Sequence, residues 1–355
     1  MKLNTQANYL TKLNGPWRIT FGTNPDTCNH HCIMCEEHSY YSPKNRKRMK
    51  GDSKRRLMDF SIIQKVVQEC STFGLKEIIP STMGEPLLYK DFPGIINICH
   101  EYDVKLNLTT NGSFPGRTAE DWAELIVPVT SDVKISWNGA TKELQEKVML
   151  GSNYEQRLED LMTLLKIRDR HYREGGNYCS VTLQLTFMEI NLHEIPEIVK
   201  LAISLGADRV KGHHLWVNFN DIAQLSLRRN SDSIRRWNQT VDECRRIAKE
   251  TTLPNGKHIK LDNFYKLDPY NKNELQPDGI CPFLGREAWV NHEGRLDPCC
   301  APDDLRKGLG TFGNVLDSRL MAIWESEQYN RLIKHYLEND LCQMCNMRRP
   351  REEIK

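Results

Sequence analysis

The stretch Thr27–Cys35, TCNHHCIMC, places three cysteines within eight positions near the start of the chain. Three residues separate Cys28 from Cys32, and two separate Cys32 from Cys35. A closed tetrahedral zinc site takes four Cys or His ligands, so this group is one ligand short. An iron–sulfur cluster with one open iron suits three thiolates better, because the open iron can hold a substrate or cofactor.

Zinc is the simpler alternative, and three nearby histidines are candidates for its fourth ligand. His30 and His31 stand inside the Cys28–Cys32 loop, where folding back onto the same metal would be strained. His38 follows the last cysteine of the group. The local sequence therefore favours an iron–sulfur cluster.

The chain has 355 residues, twelve of them cysteine, with a formal net charge of +2. No run approaches the roughly 18 apolar residues of a membrane span, and the first residues lack the apolar core of a signal peptide. Clustered thiols without a secretion signal indicate metal ligands in a reducing compartment, so we expect a cytoplasmic protein without a membrane partner. Four scattered cysteines are expected to pack in the core: Cys70, Cys99, Cys179 and Cys244.

Between about residues 16 and 220, short β-rich runs alternate with amphipathic stretches. Runs rich in Val, Ile, Leu and Thr predict strands at 17–22, 75–81, 104–110, 132–137, 180–187 and 208–217. Apolar residues three and four apart predict helices at 60–73, 92–102, 119–126, 154–172 and 192–206. This alternation predicts an α/β fold, a partial (β/α)6 TIM-like barrel, with its chemistry at the carboxyl ends of the strands.

The CxxxCxxC spacing after the first predicted strand resembles the signature of the radical S-adenosylmethionine (SAM) superfamily. The resemblance implies that Cys28, Cys32 and Cys35 hold a 4Fe–4S cluster whose open iron is chelated by SAM. It also implies reductive cleavage of SAM to a 5′-deoxyadenosyl radical, which abstracts a hydrogen atom from the substrate. The electron would come from a flavodoxin- or ferredoxin-type donor.

The resemblance extends to the turns that follow the later strands. Gly84-Glu85-Pro86 is similar to the family's GGEP element, with Met83 in place of its first glycine. The resemblance implies that the Glu85 carboxylate binds the SAM ammonium. It implies SAM contacts for five further residues: Met34, Gly84, Thr110, Asn111 and Ser136.

One departure concerns an arginine that many relatives carry about a dozen residues after the serine matched by Ser136. No arginine stands in that neighbourhood, which reads EKVMLG and contains Lys147. An ammonium lacks the two-armed geometry with which a guanidinium binds a carboxylate.

A second group of cysteines lies near the end of the chain. Cys281, Gly294 and Cys299 form C-x12-G-x4-C, and Cys342 and Cys345 form CxxC. This pattern resembles the SPASM/twitch extension of one branch of the superfamily, which implies a second, auxiliary 4Fe–4S cluster on the four cysteines. The few residues after the CxxC lead us to expect the one-cluster twitch form. A zinc ribbon on the same cysteines is the alternative.

We therefore expect three regions in the chain. A radical SAM partial barrel spans 1–220, a linker with a helix spans 221–275, and a twitch/SPASM-like auxiliary-cluster domain spans 276–355. The linker helix is expected at about 233–250, followed by a polar tract, DPYNKNELQPDG.

Eight of the thirteen residues in Lys44–Arg56 are cationic. This segment is either a solvated surface or a border of the barrel mouth that meets an anionic substrate. The modest net charge and the lack of an RNA-binding module argue against nucleic acid as a partner.

The favoured function is a radical SAM enzyme that oxidises or epimerises a small carbohydrate-like or phosphorylated metabolite. About 27 residues precede the first cluster, which is short for a fused peptide-recognition domain and favours a small substrate. One alternative is a radical SAM maturase of peptides or proteins that forms cross-links or inverts stereocentres. Another is a non-catalytic zinc protein.

A catalytic proton acceptor is expected at the end of the sixth strand. His213 and His214 are adjacent there, so they point to opposite faces of the strand and only one can face the barrel interior. We expect one of them to be a base or a substrate ligand, since imidazole titrates in the range that a base requires. Trp137, Glu189 and Trp216 follow or end neighbouring strands and are further candidates for substrate contact.

Overall fold

The computed structural model describes residues 10–51, 55–81, 83–270, 279–345 and 347–350. The strands of these residues are β1 (Arg18–Phe21), β2 (Glu77–Ile79), β3 (Lys105–Thr110), β4 (Thr130–Ser136), β5 (Ser180–Phe187), β6 (Arg209–His214), β7 (Lys260–Asp262), β8 (Glu287–Val290) and β9 (Leu296–Asp297). They form one sheet in the order β7-β6-β5-β4-β3-β2-β1-β8-β9.

The helices of the described residues lie mainly between consecutive strands. They are α1 (Pro43–Met49), α2 (Phe60–Ser71), α3 (Phe92–Glu101), α4 (Ala119–Ile126), α5 (Lys142–Val148), α6 (Tyr154–Arg173), α7 (Ile195–Leu205), α8 (Ser231–Glu250), α9 (Asp303–Arg306), α10 (Leu320–Glu325), α11 (Glu327–His335) and α12 (Asp340–Gln343). None of them is long and apolar enough to cross a membrane.

Neighbouring strands from β1 to β6 pair in parallel, and at least one helix separates each from the next. This arrangement confirms the predicted α/β fold with six strand–helix repeats. Three strands were not predicted: β7 extends the sheet beyond β6, β8 pairs in parallel with β1 on the opposite side, and β9 pairs antiparallel with β8. The carboxyl ends of the parallel strands therefore share one edge, where the turns of the site collect.

Local signals in the sequence explain where the helices begin and end. Asn153 caps α6 by accepting a hydrogen bond from the backbone N–H of Gln156, at 3.0 Å. Thr118 caps α4 in the same way, accepting from the N–H of Asp121 at 3.1 Å. Gly206 ends α7 in the left-handed conformation, with φ at 81°, which costs glycine little.

Alternation along β6 separates a packed face from an interior face. His214 points under the helices, where its ring lies 4.8 Å from that of Trp237 on α8. Phe187 of β5 joins the same cluster, 4.5 Å from Trp237. Lys211 and His213 are half-buried and lie on the opposite face of the strand, toward the barrel interior.

The amino-terminal half of the interior holds a layer of ionic contacts. Arg18 pairs with Glu77 of β2 at 2.5 Å and with Glu287 of β8 at 3.1 Å. Asn107 of β3 donates to Glu77 at 3.1 Å and accepts from the ammonium of Lys134 on β4. Arg18, Glu77 and Glu287 thus offset one another's charges where they close the floor of the barrel.

The C-terminal part of the chain packs directly on the barrel. Besides the β1–β8 pairing, Trp324 Nε1 donates to Leu13 O at 3.1 Å. The Glu69 carboxylate on α2 accepts from two backbone N–H groups at the start of α10, both at 3.0 Å. The expected linker helix is α8, whereas most of the polar tract expected after it, 271–278, lies outside the described residues.

Gly212 tests the packed face of β6, because a Cβ atom there would lie 2.1 Å from the Phe187 ring. We expect Gly212→Ala to lower the free energy of unfolding by about 1–3 kcal/mol, since neighbouring rings hold Phe187 in place. Thermal denaturation measures the loss. Gly308→Ala is the matched control, because a Cβ atom at Gly308 meets nothing within 4 Å. Equal midpoints for the two variants would contradict the prediction.

Candidate active site

The three-cysteine loop leaves the end of β1 and is held against the end of α5. The backbone N–H of Ile33 donates to Val148 O at 2.9 Å. Two further N–H groups, from the residues two after Cys28 and three after Cys35, donate to the sulfurs of those cysteines at 3.4 and 3.3 Å. Hydrogen bonds of this kind favour the thiolate, which is the form that binds iron.

The thiols of Cys28, Cys32 and Cys35 share one small space. Burial raises the pKa of each of them, that of Cys28 to about 12. Cys35 and Cys28 raise the pKa of Cys32 further, as neighbouring thiols do. Among the described residues, no three Cys, His, Asp or Glu side chains are grouped tightly enough to hold a single metal ion. In a 4Fe–4S cluster each thiolate binds a different iron, so these three donors fit the expected cluster.

Of the three histidines in or near the loop, two contact backbone carbonyl groups and the third is buried. His38 Nε2 lies 2.8 Å from Pro25 O, and His31 Nδ1 lies 2.8 Å from His38 O, so each ring bonds to a backbone carbonyl. His30 is buried, and burial followed by the nearby Arg157 lowers its pKa to about 4. The contacts of these rings brace the loop.

The basic segment holds the cysteine loop from outside. Its arginines Arg48 and Arg56 each pair with both Asp26 and Glu37, at 2.5 to 3.1 Å. Asp26 precedes the loop and Glu37 follows it, and both carboxylates are almost completely buried. The described part of Lys44–Arg56 is therefore more than a solvated surface: it includes α1 and clamps both ends of the loop.

Glu85 joins the turn after β2 to the end of β3. Its buried carboxylate accepts from Thr110 Oγ1 and from the backbone N–H of Asn111, both at 2.7 Å. Burial raises the pKa of Glu85 to about 7, although these hydrogen bonds lower it. The Asn111 side chain in turn donates to Asn29 Oδ1 at 2.8 Å, beside Cys28. The structure thus brings three of the expected SAM contacts to the edge of the cysteine loop.

The backbone at Gly84 packs directly against the backbone just before the first cysteine. A Cβ atom at this position would lie 2.0 Å from Asn24 O and 2.8 Å from Thr27 O. The next N–H along the chain, that of Glu85, donates to the same Thr27 O at 2.8 Å. Only glycine permits this approach, so Gly84 sets the position of the turn relative to the loop.

Arg157 of α6 is the residue that sequence analysis missed. It lies almost completely buried between the ends of two strands: its Nε donates to Asn111 O at 2.9 Å, and its guanidinium also donates to Ser136 O. The guanidinium stacks 4.8 Å from the ring of the fully buried Trp137. Burial lowers the pKa of Arg157 to about 10, although Cys32 and other neighbours raise it.

The position of Arg157 explains both why it was missed and how it could be found. It follows Ser136 by 21 residues, beyond the neighbourhood of Lys147 in which an arginine was expected. In α6 it stands four and seven residues before the buried Leu161 and Leu164, on the face that packs on the sheet. A cation in that apolar stripe needs buried partners, and this signal was present in the sequence.

Met34 contributes to an apolar wall beside the cysteines. Together with Ile33 and Cys32 it packs against a small cluster formed by residues of α5 and of the turns after β5 and β6: Leu144, Val148, Met149, Met188, Leu215, Phe219 and Ile222. Met34 itself is half-buried, as is Ser136 on the polar side. An apolar wall facing hydrogen-bonding groups suits a ligand that has both a flat ring and a charged end.

The two candidate histidines have different surroundings. His214 is packed among aromatic rings, and burial lowers its pKa to about 3. His213 lies on the interior face, where burial and the lysine two residues before it lower its pKa to about 4. Both are therefore neutral at neutral pH.

Two of the other three candidates for substrate contact are already buried or ion-paired within the protein. Trp137 is fully buried beneath Arg157. Glu189 pairs with Arg236 at 2.9 Å and Arg229 at 3.4 Å. Trp216, after β6, lines a cavity that reaches the second cysteine group.

That cavity is lined by all of the C-terminal cysteines: Cys281, Cys299, Cys300, Cys342 and Cys345. Burial raises the pKa of each thiol, and Cys345 and Cys299 raise that of Cys281 further. The four expected ligands are thus brought together around one space and fit a second cluster. Cys300, which is not among these four, lines the same cavity.

Comparisons with known proteins cover most of the chain. The model of the radical SAM superfamily matches residues 25–202, and that of SPASM, an iron–sulfur cluster-binding domain, matches residues 281–346. The tungsten-containing aldehyde ferredoxin oxidoreductase cofactor-modifying protein of Pyrococcus furiosus is 25% identical over 342 residues, 90% of this chain and 85% of that protein. The PqqA peptide cyclase of Bradyrhizobium diazoefficiens is 24% identical over 292 residues, 80% of this chain and 70% of that protein.

Solved structures share the fold. SuiB of Streptococcus suis, bound to S-adenosylmethionine, aligns with a TM-score of 0.61 at 14% identity, over 94% of this chain and 72% of SuiB. The protein anSMEcpe with bound AdoMet aligns with a TM-score of 0.62 at 14% identity, over 92% and 88% of the two chains. The two family models confirm the predicted cofactor set of SAM, its cluster and an auxiliary cluster, and the solved structures agree with the predicted fold.

Arg157→Lys tests whether the hydrogen bonds of Arg157 to the ends of β3 and β4 are needed for SAM binding. A lysine keeps the charge but cannot bond two carbonyl groups with fixed geometry. The substitution loosens the turns that are expected to hold SAM, and this loss of preorganisation should lower SAM affinity roughly tenfold. Calorimetric titration of the cluster-loaded protein with SAM measures the change. Arg173→Lys, at the exposed end of the same helix, is the control, and an affinity equal to that of the control would refute this role of Arg157.

Proposed function

The chain belongs to the radical SAM superfamily, and on that basis we propose that it is a radical SAM enzyme that oxidatively modifies a peptide. The observation that carries the oxidative part is the cavity of the second cysteine group, which reaches the barrel mouth at Trp216. The cysteines that line this cavity would hold an auxiliary cluster, which would supply an electron acceptor for an oxidation of the substrate.

In this proposal the barrel residues hold SAM. When bound, the SAM-binding cluster supplies the electron that cleaves SAM, and the 5′-deoxyadenosyl group so released removes a hydrogen atom from the substrate. Cys28, Cys32 and Cys35 hold that cluster. The polar side of the site consists of Gly84, Glu85, Thr110, Asn111, Ser136 and Arg157.

Each side of the site has a physical task. Glu85 and Arg157 hold the ends of β2, β3 and β4 at fixed distances, which orients the polar groups before SAM arrives. Met34 and its apolar neighbours exclude water from the space beside the cysteines. The region 1–220 thus carries the SAM chemistry, and α8 links it to 276–355.

The C-terminal region provides the electron acceptor in this proposal. Cys281, Cys299, Cys342 and Cys345 hold the auxiliary cluster. The cavity that they line is otherwise largely apolar, with Phe283, Leu284 and Leu309 among its residues, which shields a cluster from water.

A peptide is proposed as the substrate in place of the small metabolite expected from the sequence. The similarity to the PqqA peptide cyclase covers 80% of this chain and supports a peptide. The similarity to the cofactor-modifying protein of Pyrococcus furiosus covers 90% and favours a small molecule as the second candidate. The peptide is preferred because SuiB, which shares this fold with a TM-score of 0.61 over 94% of this chain, has also been solved with the precursor peptide SuiA bound.

His213 is proposed as the proton acceptor. It lies on the interior face of β6, the face that points away from the packed aromatic rings. His214 is excluded from this role because it packs between Phe187 and Trp237 on the other face.

Replacing Cys28, Cys32 and Cys35 together by Ala separates the two clusters. We expect the variant to retain about four irons on the second cysteine group and to form no 5′-deoxyadenosine from SAM and dithionite. Iron and sulfide analysis and chromatography of the products measure both. Cys99→Ala, at a buried core position, is the control. This variant should keep the iron of both clusters and should still form 5′-deoxyadenosine. Zinc in place of iron in the unaltered protein would support the non-catalytic alternative.

The substrate class is tested with two pools of compounds labelled with deuterium at carbon. We expect a pool of short peptides to accelerate SAM cleavage and to transfer deuterium into 5′-deoxyadenosine, because a hydrogen atom removed from the substrate is retained there. A pool of sugar phosphates and aminocyclitols serves as the comparison. Transfer from that pool alone would overturn the peptide proposal in favour of the second candidate.

A further inference from the structure

Helix α1 has an inner face that holds the cysteine loop and an outer face that is exposed. Three of its residues contact the residues that directly follow Cys35 and are buried or half-buried: Lys44, Asn45 and Arg48. At about 3.6 residues per turn, these three positions share one side of the helix. Three cations fall on the other side and are exposed: Arg46, Lys47 and Lys50.

The positive charge of the outer face rests mainly on its two lysines. Arg46 lies 3.8 Å from the exposed carboxylate of Asp221, so its charge is partly offset. Within the part of the chain that the structure describes, no carboxylate forms an ion pair with Lys47 or Lys50. These two ammonium groups are therefore available to an acidic partner.

Large apolar side chains adjoin the cations. Tyr40 and Tyr41 stand shortly before α1, Met49 is its last residue, and each leaves 47–69% of its surface exposed. The Arg46 guanidinium donates to Tyr41 O, which holds the tyrosine segment beside the helix. Aromatic residues, Met and Arg are enriched where proteins bind one another. We call the following six residues the α1 patch: Tyr40, Tyr41, Arg46, Lys47, Met49 and Lys50.

Two consecutive hydrogen bonds join α1 to the first cysteine group. The backbone N–H of His38 donates to Cys35 Sγ at 3.3 Å, and Asn45 Nδ2 donates to His38 O at 3.2 Å. A helix is about 10–12 Å across with its side chains. The outer face of α1 is therefore separated from the cysteine loop by the thickness of one helix.

Tyr40 provides a second contact between the patch and the loop. Its ring stacks on that of His31, with the centroids 4.3 Å apart and the planes 20° from parallel. His31 stands between Cys28 and Cys32 in the sequence. The α1 patch thus covers the loop from outside through both a helix and a stacked pair of rings.

The proposed function requires an electron to reach this loop from outside the protein. Electron transfer slows steeply with distance, so a donor protein has to dock close to the first cysteine group. SAM and the substrate occupy the barrel interior during the reaction, which leaves an outer surface for the donor. The outer face of α1 points away from the loop, which suits a partner that stays outside better than a substrate that has to enter.

We propose that the α1 patch is the docking surface for an acidic electron-transfer protein that reduces the cluster held by the first cysteine group. This inference rests on the proposed function and adds the place where the electron enters. The donor loses one electron and the cluster gains it, with no bond made or broken. The lysines attract an acidic donor, and the exposed tyrosines and Met49 supply the apolar contact of a small, short-lived interface.

The test uses the full-length, cluster-loaded protein with SAM and compares two reductants: a purified acidic flavodoxin, below its saturating concentration, and dithionite. Lys47→Glu/Lys50→Glu reverses the charge of the patch, and Lys47→Gln/Lys50→Gln removes it. The control Lys166→Glu/Arg173→Glu makes the same change of charge at exposed positions of α6. Formation of 5′-deoxyadenosine is measured with each reductant.

With flavodoxin, we expect charge reversal to lower the rate about tenfold or more and charge removal to lower it less, because electrostatic steering raises association rates by about 10–10³-fold. Raising the salt concentration from about 0.01 to 0.15 M, which shortens the Debye length from about 30 to 8 Å, should reduce the difference. Dithionite is a small ion that needs no docking surface, so its rate should be the same in all variants. The control should match the unaltered protein with both reductants.

Equal flavodoxin-driven rates in the charge-reversed variant and the control would overturn the docking surface. An equal fall with flavodoxin and dithionite would overturn the assignment of the patch to a donor, because the change would then act on the site itself.

Binding of oxidised flavodoxin is measured separately by calorimetric titration of the cluster-loaded protein at low salt. Charge reversal should weaken it about tenfold or more. No binding to the unaltered protein, or unchanged binding in the charge-reversed variant, would also overturn the docking surface. Absence of 5′-deoxyadenosine from the unaltered protein with dithionite would reject the proposed function, whereas the titration needs no SAM cleavage and judges the surface on its own.

Discussion

A single buried guanidinium holds the candidate site together. Arg157 reaches from α6 to the carbonyl groups at the ends of β3 and β4 and stacks on Trp137. Carbonyl groups at strand ends have lost their ladder partners, so a buried donor with several arms satisfies them without water. Asn111, whose carbonyl it binds, also contacts Glu85 and the cysteine loop. The turns of three strands therefore share one fixed geometry.

Charges in this protein fall into two groups with different consequences. Around the cysteine loop, Arg48 and Arg56 face Asp26 and Glu37, and each buried charge is matched. Matched charges hold a loop in place, because removing either partner leaves a costly buried ion. In the second group, Arg18 of β1 pairs with Glu77 of β2 and Glu287 of β8. The first group positions the cysteine loop, and the second closes the barrel interior on the opposite side from the site.

The sequence predicted the repeating part of the fold closely and the exceptions poorly. The strand expected at 180–187 is β5 without change, and the helix expected at 154–172 is α6 with one residue more. Both have patterns that depend only on near neighbours. β8 was missed because its four residues are all buried, so no alternation marks them, and their partner β1 lies far away in the sequence. The cysteine groups were found by spacing, whereas Arg157 required knowing which helix covers the strand ends.

The β1–β8 pairing also has a consequence for how the protein is made. The strand that leads into the cysteine loop is paired on one side with β2 and on the other with β8, whose Glu287 lies 269 residues beyond Arg18. On the ribosome, β1 therefore keeps an open edge until the C-terminal region emerges, tens of seconds later at roughly 5–20 residues per second. The strand that carries the first cysteine loop is therefore completed only after synthesis has passed Val290. The start of the chain waits for a segment near its end before it can finish folding.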